Sequence, residues 1–277
     1  MNRKTIITAI LLPLMVFLGW RFIRPMNIFV VDERFAWPVD TESPPSLLTD
    51  LSAKNCGSCH QAFYREWQTT IHAQAWTDPY FQADWRFDGK QHNCRLCHTP
   101  LDRQQPQTVL AYRDAEKWKP VLEDNPGFDS ALQHEGVTCA ACHYREGKIL
   151  GVLDTTDAPH PVQKIDNPNR ICARCHIVEG QRWDTFFRFP PCGTVAEIRE
   201  SRNRSGSKAV TSPAGEAVVE DYSDLGCVEC HMPVVKRALV AEGEIRQTRH
   251  HYWRGGHDPA MVKQALSIDF AEYPANA

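Results

Sequence analysis

Five copies of one pentapeptide pattern carry the chemistry of this chain: Cys56-Gly-Ser-Cys59-His60, Cys94-Arg-Leu-Cys97-His98, Cys139-Ala-Ala-Cys142-His143, Cys172-Ala-Arg-Cys175-His176 and Cys227-Val-Glu-Cys230-His231. They take up ten of the eleven cysteines. Two thiols three residues apart followed at once by an imidazole are the attachment signature of c-type haem. The thiols form thioethers with the two vinyl groups of one porphyrin, and the adjacent histidine sits beneath the iron as axial ligand. Zinc sites pair C-x-x-C units in fours, which five units cannot satisfy, and zinc chemistry does not explain a histidine after every second cysteine. A thioredoxin-like dithiol lacks its surrounding βαβ pattern here. Five covalently attached haem c groups are therefore expected.

Each iron also needs a ligand, or an opening, on its far face. Seven histidines lie outside the motifs: His72, His92, His134, His160, His250, His251 and His257. Two-histidine coordination closes iron on both sides and suits electron transfer, whereas an open face admits a substrate. Cys192 is the one cysteine outside the pattern; its expected role is that of a small buried thiol.

The elements that must position these groups are less regular. The chain has 277 residues, low hydropathy and 19 prolines, which is a poor recipe for an ordinary apolar core. Five porphyrins would supply the missing apolar surface, so the haems are expected to form most of the core. The expected fold is mainly α with much irregular structure: a compact multihaem cytochrome c domain over 51–277 with one short hairpin and an N-terminal membrane helix. The formal net charge of −3 argues against a nucleic-acid partner. Two propionates per ring against one net positive charge on ferric iron add a further charge of about −5.

Met1-Asn2-Arg3-Lys4 precedes an apolar run from Thr5 to Trp20, flanked by Arg21 and Arg24, which is the layout of an export signal. With no small-x-small cleavage site after it, residues 1–25 are expected to stay as a signal anchor or transmembrane helix. Residues 26–50, with Pro38, Pro44 and Pro45, are expected to be an extended linker. Helices are expected from Gln61 to Trp76, from Gln107 to Leu122 and from Asp258 to about Phe270. A hairpin is expected around Glu146-Gly147, a strand over Val234–Ile245, and an exposed insertion over Ser201–Gly215. The motif intervals are too uneven for a solenoid.

Three stretches resemble the cytochrome c-552/4 family of multihaem cytochromes, itself a distant relation of hydroxylamine oxidoreductase and pentahaem nitrite reductase. They are Cys56-x-x-Cys-His followed by Trp67-x-x-Thr-x-His72-Ala73, then His134-x-Gly136-Val137-x-Cys139-x-x-Cys-His143, and His251-x-Trp-x-Gly-Gly-x-Asp258. The resemblance runs from about Asn55 to the final helix. It implies that His72, His134 and His251 are distal ligands, each reaching a haem other than the one nearest in sequence; His160 is the fourth choice. It also implies haems stacked in parallel or meeting at their edges. The short family members have four motifs where this chain has five. The lysine-ligated C-x-x-C-K site of many pentahaem nitrite reductases is missing from the sequence, which counts against nitrite reduction.

The expected function is electron carriage. The haem domain would face the periplasm from the bacterial inner membrane, or be soluble there after signal cleavage, and exchange electrons with redox partner proteins, a quinol pool, or a cytochrome or reductase. The alternative is an oxidoreductase acting on a small nitrogen or sulfur compound at a five-coordinate haem, with Arg254, Tyr252 or an unused histidine as nearby donors. On the leading reading no catalytic side chain is required.

Overall fold

The computed structural model describes residues 3–23, 36–114, 117–153, 157–176, 193–195, 197–198, 226–256 and 258–265. Short helices joined by irregular chain make up most of these, with three small sheets. Cys192, His257 and the Ser201–Gly215 stretch lie outside the described residues.

Each C-x-x-C-H falls on a short helix or at its end. These are α2 (Ala53–Cys59), α6 (His92–His98), α8 (Cys139–His143), α9 (Asn169–His176) and α10 (Cys227–His231). One helical turn sets two residues three apart on the same face, which is what one porphyrin edge requires of its two thiols. Ser52 starts α2 by accepting the Asn55 N–H at 3.0 Å.

The helix expected from Gln61 to Trp76 is two helices, α3 (Gln61–Trp67) and α4 (Ile71–Gln74). Thr70 makes the break. Its hydroxyl donates to Trp67 O at 2.7 Å and accepts the Ala73 N–H at 3.2 Å, ending one helix and capping the next. Helix α5 (Pro79–Phe87) follows, with Asp78 as its cap and proline in its first turn. Helix α7 (Ser130–His134) is likewise capped by Asp129.

Gln107–Leu122 is not a helix. Strand β1 (Gln107–Tyr112) pairs antiparallel with β2 (Pro120–Asp124), because Thr108 and Val109 favour extended backbone and Pro120 lacks the N–H a helix would need. Asp114 holds the connection by accepting the Trp118 N–H at 3.0 Å and the Lys119 N–H at 2.6 Å. The expected hairpin at Glu146-Gly147 is present as β3 (Tyr144–Arg145) and β4 (Lys148–Gly151), with positive φ at both turn residues. Strand β5 (Val162–Lys164) adds to β4 in parallel. The stretch read as one strand over Val234–Ile245 instead turns back on itself, so that β6 (Val234–Ala238) pairs with β7 (Ile245–Arg249). Of the final helix, α11 covers Pro259–Ala265.

The linker expected over 26–50 is not free from Ala36 onward. Ala36 is fully buried, Val39 bridges to Leu101, and Thr41 N–H donates to the Asp102 carboxylate at 3.0 Å. Tyr112 and Tyr144 donate their hydroxyls to the carbonyls of Ala36 and Glu42, at 2.6 and 2.7 Å. The stretch is an irregular strap in which Ala36, Val39 and Thr41 are buried while Trp37, Asp40 and Glu42 are exposed. It closes a small apolar cluster of Val39, Leu48, Leu51, Leu101, Leu132, Ala140, Ala141 and Tyr144.

The N-terminal segment is a single helix, α1 (Arg3–Ile23), with Pro13 inside it and Ile6 through Leu18 exposed. Among the described residues no helix is long and apolar enough to cross a membrane. The transmembrane anchor expected over 1–25 is therefore not supported. The apolar run between the flanking cations falls short of the roughly 20 residues a spanning helix uses.

Candidate cofactor-binding site

Helices that carry different motifs pack on one another: α2 against α8, α6 against α9, and α9 against α10. Their thiols meet in the same pairings. Cys56 lies beside Cys139, Cys172 beside Cys227 and Cys175 beside Cys97. None of the ten motif cysteines is paired in a disulfide. The attachment edges of the first and third sites, and those of the second, fourth and fifth, are thus neighbours.

Four of the five motif imidazoles share one local rule. Nδ1 of His60, His98, His143 and His231 lies on a backbone carbonyl, at Leu239 (2.9 Å), Ala75 (2.6 Å), Leu150 (2.6 Å) and Arg254 (2.6 Å). A carbonyl only accepts, so each Nδ1 must carry the proton and Nε2 is the free lone pair. The carbonyl orients the ring and raises its basicity as a ligand. Burial lowers the pKa of His98, His143 and His176, keeping them in the neutral, ligating form.

Three motif imidazoles face a second histidine at nearly one separation. Ring centroids are 6.4 Å apart for His60 and His160, 6.4 Å for His72 and His176, and 6.0 Å for His143 and His251. Two imidazoles on opposite faces of one iron have centroids about 6 Å apart, from metal–nitrogen bonds of about 2 Å and about 1 Å from each nitrogen to its ring centre. The residues fit haem on this test. Burial also pushes the His72 and His251 pKa values down to about 4, so both rings are neutral at ordinary pH. Among the described residues no three His, Cys, Asp or Glu side chains converge as a metal cage would. Paired imidazoles suit an iron already held by four porphyrin nitrogens.

The remaining candidates fall elsewhere. His134 is exposed, with Nδ1 on Ser130 O at 2.7 Å, and among the described residues it makes no ring contact with a motif histidine. Neither His98 nor His231 faces a second imidazole among the described residues; Phe81 stacks on the His98 ring with centroids 3.5 Å apart. His92 is 5% exposed, both its nitrogens lack partners, and burial pushes its pKa down to about 4. Beside it, Asn93, Arg95 and Gln105 also carry buried polar atoms without a partner.

Sequence reasoning gave no role to the residues that pack against His72 and His251, although Trp253 lies in the His251-x-Trp-x-Gly-Gly-x-Asp258 stretch. Trp253 adopts a left-handed backbone, φ 41°, and stands edge-on to both His72 (5.0 Å) and His251 (5.1 Å). Glu66, on α3, is 5% exposed and bonds Arg237, His250 and the His251 backbone. For Glu66 the sequence signal was a charged residue on a short amphipathic helix.

No family model matches the chain, and neither does any curated protein. Among solved structures, a penta-haem cytochrome c552 from Thermochromatium tepidum is similar at a TM-score of 0.43 and 18% identity, over 78% of this chain. The match spans 60% of that structure's length.

Proposed function

We propose that this chain is an electron-carrying multihaem c-type cytochrome with five covalently attached haems, exported to the periplasmic side. The observation that carries the reading is the repeated juxtaposition of a motif imidazole with a second imidazole at 6.0–6.4 Å. Cys56, Cys59, Cys94, Cys97, Cys139, Cys142, Cys172, Cys175, Cys227 and Cys230 provide the thiols. His60, His98, His143, His176 and His231 provide the proximal ligands, and His160, His251 and His72 the distal ligands opposite His60, His143 and His176. Haem iron, when bound, supplies reversible one-electron exchange. The chain's own work is to hold the imidazoles neutral and oriented and to pack the attachment helices edge to edge, so that electrons pass between adjacent sites without a side chain forming or breaking a bond.

The cationic start and apolar run of α1 support export to a compartment where thiols are joined to porphyrin vinyls. The partners proposed are redox proteins and a quinol-linked or soluble donor. Intact-mass measurement of protein matured in a haem-attaching host, with a pyridine haemochrome assay, tests the reading. Five porphyrin increments are expected, and a blank assay overturns it.

One observation favours a second reading. His98 and His231 face no second imidazole among the described residues, and unpartnered buried polar groups lie beside the second motif. An open iron face there would make the protein an oxidoreductase for a small nitrogen or sulfur compound. Carbon monoxide added to the reduced protein separates the two: an unresponsive spectrum supports the carrier, and a shifting high-spin signal supports the enzyme.

A further inference from the structure

His250 and His251 are neighbours at the end of β7, and either imidazole has the chemistry to ligate iron. Only His251 faces His143. The difference between them is made by one buried carboxylate. Oε1 of Glu66 accepts from His250 Nδ1 at 2.6 Å and from Arg237 Nη1 at 2.5 Å. Oε2 accepts from Arg237 Nη2 at 2.9 Å and from the His251 backbone N–H at 2.7 Å. Four donors meet the roughly four lone-pair positions of a carboxylate, so none is left over.

The two rings consequently point different ways. The His250 ring is tied to Glu66 and stacks on Tyr252 at 5.3 Å. The His251 ring has Nδ1 on Arg249 O at 3.0 Å, which leaves Nε2 for a metal. Arg237 lies over Phe63 at 4.0 Å, and Phe63 meets the His251 ring edge-on at 5.0 Å. The clamp thus grips His251 through its backbone on one side and through an aromatic wall on the other.

We infer that Glu66 is a positioning residue that selects His251, rather than its neighbour His250, as the axial ligand opposite His143. The inference rests on the reading of His143 and His251 as an axial pair. A glutamine at position 66 does not reproduce the clamp, because its NH₂ group would face a donor where an acceptor is needed. Without the carboxylate, His250 is released and competes for the same iron face.

The test uses holoprotein with all haems attached, read by low-temperature electron paramagnetic resonance, carbon monoxide binding and potentiometric titration. His251→Ala comes first; it makes one haem in five high-spin and reactive to carbon monoxide. If it leaves the spectrum unchanged, the axial pair itself is wrong, whatever Glu66 does. With that established, Glu66→Ala is expected to move one haem's low-spin signal into a second set of g values and to shift its potential. Adding His250→Ala to Glu66→Ala removes the competing imidazole and abolishes the second set, whereas His250→Ala alone leaves the spectrum unchanged. If Glu66→Ala yields too little holoprotein, Glu66→Asp keeps the charge beside Arg237 while withdrawing its oxygens, and is read in the same way. A variant with native g values and native potentials but a lower melting temperature overturns the inference and leaves Glu66 a purely structural ion pair.

Discussion

A Cβ added at Gly136 would lie 2.8 Å from the carbonyl oxygen of His72. Gly136 has φ 60°, and the next residue, Val137, donates its N–H to that same oxygen at 2.9 Å. The turn leading into the third motif is therefore docked directly on the backbone of the histidine that faces His176. Trp67 reinforces the contact by donating its indole N–H to Val137 O at 2.9 Å.

Gly136→Ala should accordingly be costly. The left-handed backbone alone costs about 1–2 kcal/mol for a residue with a Cβ, and the clash is with backbone that has no rotamer to retreat into. Expected are a loss of at least about 2 kcal/mol in denaturant unfolding and, on the proposed pairing of His72 with His176, an altered low-spin signal from the haem attached at Cys172 and Cys175. Gly136→Ala with unchanged stability would show that the docked turn is not as tight as drawn.

Trp253 and His160 predict contrasting electrochemistry. Trp253 touches both His72 and His251, so Trp253→Ala should shift the potentials of two haems together. His160 faces His60 alone among the motif imidazoles, so His160→Ala should make a single haem reactive to carbon monoxide. Potentiometric titration of the two variants distinguishes a shared wall from a private ligand.

Gln104 predicts a folding penalty that involves no cofactor. It is fully buried; its amide donates to Leu132 O at 2.8 Å and Gly136 O at 2.7 Å, and its Oε1 accepts the Leu101 N–H at 3.0 Å. Gln104→Leu leaves the buried Leu101 N–H unpaired and removes one of two hydrogen bonds from each of the Leu132 and Gly136 carbonyls, and should cost about 2–4 kcal/mol by chemical denaturation.

Acid stability follows from Glu66. Burial pushes its carboxyl upward, but hydrogen bonds from Arg237, the His251 backbone and His250 together hold it at about 2. An unfolded glutamate titrates near about 4.3, so the unfolded chain takes up the proton first. The stabilisation is complete above that pH and is lost as pH falls from there toward 2. Glu66→Gln should flatten this part of an acid unfolding curve while lowering stability at pH 7 by about 3–5 kcal/mol, because Arg237 is left buried without its partner.

What was legible in the sequence was the chemistry with a fixed local spacing. The five motifs fall on helical turns, and the Glu146-Gly147 turn is a hairpin, because each is decided within a few residues. His72, His160 and His251 lie opposite motif imidazoles, while His134 stands apart. Contacts distant in sequence decide those placements: Gly136 meets His72, and Glu66 meets His251. The Gln107–Leu122 stretch misled because its apolar spacing suits a helix, and only Pro120 with the β-branched Thr108, Val109 and Val121 argued otherwise. The strap from Ala36 onward was invisible for a different reason. Its partners, Leu101, Asp102, Tyr112 and Tyr144, lie far along the chain and leave no period in the strap itself.

The bonds from four motif imidazoles to Leu239, Ala75, Leu150 and Arg254 have a practical consequence. Each latch joins a chromophore's ligand to a remote piece of main chain, so loosening of any of those pieces alters ligand basicity before the ligand lets go. Visible absorbance of the holoprotein should then report local melting segment by segment, with colour serving as a built-in thermometer of tertiary structure.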